Sequence, residues 1–165
     1  MQLPSLMHVL DQPESAAEHL QPWGVANFEQ ARQVLLELAN AGLTLELLAN
    51  LCTQLGEQLP RATNPDAVLA ALRDYILVVR SPLSLAALLD RDHTTLPTLL
   101  AALSLGPRWA KLLIEDPEAF DLLRQSQKQL SDGAALHSEV LAEIKTLREE
   151  RSRSEEHTSE LQSPY

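Results

Sequence analysis

The closest approach to catalytic chemistry in this chain is the pair Asp90 and Asp92, one residue apart around Arg91. Two carboxylates so spaced can grip divalent cations and stabilise an in-line displacement at phosphorus. That chemistry needs the acids on a strand beside a glycine-rich phosphate loop. Here they fall at the end of a Leu-rich helical stretch, and the five glycines of the chain are not clustered. The pair therefore reads as a solvated helix terminus. His8, His19, His93 and His137 are scattered, none four residues from another histidine or from the cysteine, and His157 lies in the terminal tail. Metal sites draw on closely spaced donors, so no metal ligand is assigned. The single cysteine, Cys52, can close no internal disulfide; it sits on a leucine-rich face with no basic neighbour in sequence, the setting of an inert buried thiol. No Gly-x-Ser-x-Gly elbow is present. Trp109 and Phe120 fall in apolar stripes and are expected to be core anchors rather than base-stacking platforms. No catalytic, cofactor-binding or metal-binding residue is assigned.

The elements that position these residues follow from composition. The 165 residues include 35 Leu and 20 Ala against 7 Val and 3 Ile, an excess of strong helix formers that predicts an all-α fold. The formal net charge of −10 repels phosphate backbones and anionic lipid, which disfavours a nucleic-acid or membrane-surface role. No apolar run reaches the roughly 18 residues of a membrane helix. Met1-Gln2-Leu3-Pro4 lacks the basic start of a secretory signal, so the expected compartment is the cytoplasm.

Prolines mark helix starts, each usually after a residue able to cap. Residues 1–26 are weakly patterned and read as a weakly ordered leader with a short helix over Pro13 to Leu20. The helical domain spans 27–130. Asn27 caps a helix that Gly42 stops, and Thr44 restarts the chain toward Pro60. Asn64-Pro65-Asp66 opens the next helix, with an acid facing the positive helix end. Ser81-Pro82, Thr95-Leu96-Pro97, Gly106-Pro107 and Asp116-Pro117 open the rest. Short connections predict an irregular array of antiparallel helical hairpins, without the fixed period of a repeat protein. Leu72, Ile76, Leu89, Leu100, Leu113 and Phe120 are expected to share one core. Residues 131–152 form an amphipathic helix with Leu136, Val140, Ile144 and Leu147 on one face, and the charge run Lys145 to Arg153 reads as a solvated face.

The run Arg153 to Ser163 resembles, residue for residue, one frame of a common short-read sequencing adapter. On that reading the natural sequence stops near Ser152, Pro164 and Tyr165 are also foreign, and the gene continues further. A natural polar tail is the alternative; both readings predict disorder for 153–165.

Arg108-Trp109-Ala110-Lys111-Leu112-Leu113-Ile114-Glu115-Asp116-Pro117-Glu118-Ala119-Phe120-Asp121-Leu122-Leu123, with Arg80 to Leu89 and Leu96 to Leu100 upstream in the same order, resembles the amino-terminal helical region of glutamine synthetase adenylyltransferase, the bifunctional adenylyltransferase/adenylyl-removing enzyme. The resemblance covers Asn27 to Arg151. It implies a magnesium- and ATP-using nucleotidyltransferase that attaches AMP to, and removes it from, glutamine synthetase in nitrogen regulation, with glutamine synthetase and a PII signalling protein as partners. The family's glycine-serine loop followed by Asp-x-Asp is absent here, so no catalytic residue carries over. The expectation is an inactive helical fragment preceding a missing nucleotidyltransferase domain. The rivals are a stand-alone helical protein-interaction module, and the helical lead-in of another nucleotidyltransferase.

Overall fold

The computed structural model describes residues 2–126. These are helical and carry no strand, as the Leu and Ala excess predicts. The α-helices are α1 (Leu3–Asp11), α2 (Ala16–Leu20), α3 (Phe28–Asn40), α4 (Leu45–Gln58), α5 (Pro65–Val78), α6 (Pro82–Arg91), α7 (Thr95–Ser104) and α8 (Pro107–Glu115). Single 3-10 turns occupy Pro13–Ser15, Gln21–Trp23 and Leu59–Arg61, and residues 119–126 are again helical. Among the described residues no helix is long and apolar enough to cross a membrane. Among the described residues, 2–122 form one compact unit. The amphipathic stretch 131–152, the tail 153–165, His137 and His157 lie outside the described residues.

Local chemistry sets the helix starts. The side chains of Asn27, Thr44, Asn64 and Ser81 each accept a hydrogen bond from the backbone N–H three residues on, at 3.0, 3.3, 3.1 and 3.2 Å, and so satisfy one of the free donors of the first turn. Proline follows the cap directly at Pro65, Pro82 and Pro107, where its missing N–H costs nothing. Gly42 ends the α3–α4 turn with φ +91°, a conformation that a side chain would strain.

The strongest packing skips one element along the chain. Helix α3 lies on α5 and α4 on α6, while α7 and α8 pack as consecutive neighbours and both contact α5. Leu72, Ile76, Leu89, Leu100, Leu113 and Phe120 all belong to one buried cluster, as their helical spacing predicts.

Residues 3–24 hold more structure than their weak pattern suggests. Leu6, Val9 and Leu10 of α1, Ala16 and Leu20 of α2, and Trp23 are buried in the main core. Two tertiary contacts explain this. Arg32 of α3 donates from Nε to the carbonyl of Val9 at 3.0 Å and from Nη2 to that of Leu10 at 2.7 Å, so a cation closes the negative end of α1. Trp23 lies against α4 at Gly56, where an added Cβ would stand 3.2 Å from the indole Nε1. The helix accepts a glycine in its interior, a cost of roughly 1 kcal/mol relative to alanine, and gains close approach of the indole.

A second tether joins helix starts that are distant in sequence. The carboxylate of Asp66, in the first turn of α5, accepts from the backbone N–H of Ala26 at 2.8 Å and of Asn27 at 3.0 Å. Asp66 thus faces the start of α3 as well as that of its own helix.

Candidate functional site

The carboxylates of Asp90 and Asp92 are occupied by packing. Asp90, in the last turn of α6, accepts from the side-chain amide of Asn50 on α4 at 2.9 Å, and next to it Gln54 donates to the Leu89 carbonyl at 3.1 Å. Both bonds fasten α6 to α4. Asp92 caps the end of α6 and accepts from the Thr94 N–H at 3.1 Å and the Thr94 hydroxyl at 2.6 Å, which shapes the turn into α7. The two acids therefore serve opposite sides of a helix junction, as tether and as turn-former.

Cys52 is fully buried in α4, and removal from water pushes its thiol up to about 12. A thiol held protonated at neutral pH is a poor nucleophile, in line with the inert role its sequence setting predicts. Tyr75 is likewise raised to about 12, first by burial and then by the charge of Asp121. Its hydroxyl donates to the Pro117 carbonyl at 3.1 Å, and its ring meets Phe120 edge-on with centroids 6.0 Å apart. Tyr75 so anchors the Asp116–Pro117 break to α5.

One pairing escapes the sequence. His8 and His19, eleven residues apart, are brought edge to face with ring centroids at 6.4 Å, because the Ser15 hydroxyl folds the α1–α2 link by donating to the carbonyls of His8 and Gln12. They gain no further donor: among the described residues no group of three or more His, Cys, Asp or Glu is gathered to hold a metal ion.

The remaining candidate surfaces are apolar. A groove of 640 Å³ runs between α5 and α8 over Ala67, Ala70, Ala71 and Ala110, with Asp74 and Lys111 among its lining. A cleft of 480 Å³ beside Tyr75 and Phe120 is lined by Val78, Leu85 and Leu88, with the exposed pair Arg80 and Glu118 at 3.4 Å among its edges. At the α7–α8 corner, Leu105, Trp109 and Leu112 stand 67, 53 and 47% exposed. This corrects the expectation that Trp109 is a core anchor. The apolar side of α8 is wider than the part the core covers: Ala110 and Leu113 are buried, and Trp109 and Leu112 on the adjoining part are exposed. Apolar spacing alone does not say which part is covered. Phe120, by contrast, is buried as expected.

No protein family, curated protein or solved structure matches this chain. Grooves floored by small apolar side chains, beside an exposed aromatic helix face, suit the docking of another polypeptide better than the making of bonds.

Proposed function

We propose that this chain is a helical scaffold that supplies docking surface rather than chemistry, and that it is the amino-terminal, non-catalytic helical part of the cytoplasmic enzyme that adenylylates and deadenylylates glutamine synthetase. The observation that carries the scaffold reading is the employment of both Asp90 and Asp92 in packing, one held by Asn50 and the other by Thr94. Carboxylates already serving a helix junction are poorly placed to cradle the metal-held phosphates on which nucleotidyl transfer depends. The family reading draws support from the stretch Arg108 to Leu123, which forms α8, breaks at Asp116–Pro117 and turns helical again from residue 119, the arrangement that the resemblance implies. In this reading the parent enzyme uses magnesium and ATP, and glutamine synthetase and a PII signalling protein are its partners.

The direct test is the genomic sequence past Ser152. A strand carrying Gly-Ser and then Asp-x-Asp supports the proposal, and an unrelated downstream domain overturns the family assignment. At the protein level, the purified chain with ATP, magnesium, glutamine synthetase and the PII protein is expected to transfer no AMP in either direction. Saturable ATP binding by titration calorimetry that disappears in Asp90→Asn/Asp92→Asn would refute the scaffold reading.

The exposed face at Leu105, Trp109 and Leu112 favours a second reading, a stand-alone helical interaction module. A natural stop codon just beyond Ser152 is its signature.

A further inference from the structure

We infer that the exposed face of α8 is a self-association surface, on which two copies of this chain pair through antiparallel α8 helices. Three observations carry this beyond the scaffold reading, and none depends on the family. Trp109 and Leu112 lie three residues apart on one face of α8, Leu105 at the end of α7 lines the same surface, and the three stand 53, 47 and 67% exposed, although tryptophan is one of the residue types most costly to leave in water. The charges beside them are ordered along the helix, with Arg108 in the first turn of α8 and Glu115 in the last. These two lie seven residues apart, about two turns or ~10 Å, and so share a flank of the apolar strip.

That order is self-complementary when the two-fold axis lies across the helices, which makes the pair antiparallel. In an antiparallel pair the same flank of each helix faces its counterpart, so Arg108 of one copy meets Glu115 of the other, twice, and the two helix dipoles oppose. A parallel pair, whose two-fold axis runs along the helices, carries the flank of one copy to the far side of the seam from that of the other, so neither Arg108–Glu115 contact forms. Charge decides the occupant in a second way. The chain carries a formal −10, so two copies repel over most of their surface, and contact is cheapest where cations are present. Helix α8 offers Arg108 and Lys111 against Glu115, and within one copy Lys111 pairs with Glu115 only loosely, at 3.6 Å with both side chains largely exposed. The carboxylate of Glu115 is therefore shared readily with a guanidinium across the axis.

Sedimentation equilibrium of the full chain from about 5 to about 500 µM tests the inference, since a surface built on one short helix sits at the small end of interface sizes. The expected result is a reversible monomer–dimer equilibrium within that range. Trp109→Glu, at a position exposed in the single copy, is expected to keep its helical circular dichroism and to raise the dimer Kd at least 10-fold. Arg108→Glu alone and Glu115→Arg alone each replace two attractive contacts by two repulsive ones and are expected to weaken association about 10-fold. The double variant Arg108→Glu/Glu115→Arg exchanges the signs and restores the Kd to within about 3-fold, a recovery that general loss of fold or a change in net charge does not produce. A chain that stays monomeric throughout overturns the inference, as does a dimer indifferent to Trp109→Glu. Failure of the double variant to recover overturns the antiparallel pairing. None of these outcomes bears on AMP transfer, so the scaffold proposal is judged separately.

Discussion

The two tryptophans of this chain sit at opposite extremes of burial. Trp23, at the end of the weakly patterned leader, is 3% exposed and rests on the backbone of α4 at Gly56. Trp109, within the strongly amphipathic α8, is 53% exposed at a corner. A local pattern ranks them the other way round. Burial of a large side chain is decided by what another element leaves room for, and a glycine 33 positions further along makes the seat for Trp23. Among the described residues no such seat is provided for Trp109. The leader is thus bound to the core by contacts distant in sequence, whereas the α7–α8 corner, although it also rests on α5, turns Leu105, Trp109 and Leu112 outward.

The largest expected effect breaks this comparison if it is absent. Trp23→Ala empties a nearly complete burial against α4 and is expected to cost about 3–5 kcal/mol in urea or thermal unfolding. A loss below about 1 kcal/mol would mean that residues 3–24 are not fastened to the core. Next is Arg32→Ala, which frees the carbonyls of Val9 and Leu10 and uncovers the end of α1. Charge-assisted bonds from a side chain only 14% exposed place the cost at about 2 kcal/mol. Amide exchange is expected to accelerate in α1 ahead of α5, which distinguishes local release of the leader from general destabilisation.

These two residues also mark how much of the fold is legible in the sequence. Helix starts are legible because a cap acts over three residues: Asn27, Thr44, Asn64 and Ser81 each bond the N–H that the pattern assigns to them. The six core positions from Leu72 to Phe120 are legible because their helices present one dominant apolar stripe. The leader is not, since Arg32 reaches back 22 and 23 residues and Asp66 reaches back 39 and 40 to find their partners. Nor is the exposure of Trp109, which shares the apolar side of α8 with Leu113 but lies beyond the part that the core covers. The burial of Cys52 is legible from its leucine-rich surroundings, while the meeting of His8 and His19 depends on a fold in the link that Ser15 makes.

A smaller effect sharpens the comparison from the buried side of the corner. Thr95, the first residue of α7, is fully buried, and its hydroxyl has no hydrogen-bond partner among the described residues. A buried hydroxyl without a partner costs about 1–3 kcal/mol of desolvation, part of which valine, of nearly the same shape, recovers. Thr95→Val is expected to stabilise the chain by about 1 kcal/mol in urea unfolding with an unchanged m-value. Destabilisation instead would assign the hydroxyl a partner, and with it a polar contact supporting the corner.

The smallest expected effect belongs to Trp109→Ala. Half of the indole already lies in water, so truncation returns little apolar area to solvent, and alanine is the better helix former by some tenths of a kcal/mol, which offsets part of that loss. The net cost, measured by unfolding at about 1 µM so that association does not contribute, is expected to stay below about 1 kcal/mol. That is a third or less of the Trp23→Ala effect. Unfolding repeated at about 300 µM separates folding from pairing: by mass action the parent chain gains stability with concentration if α8 associates, and the alanine variant does not. Comparable losses at Trp23 and Trp109 in dilute solution would place both indoles in the core and remove the contrast between the two regions. A small loss at Trp109 that grows with concentration leaves the contrast in place and assigns the exposed indole to contact between molecules.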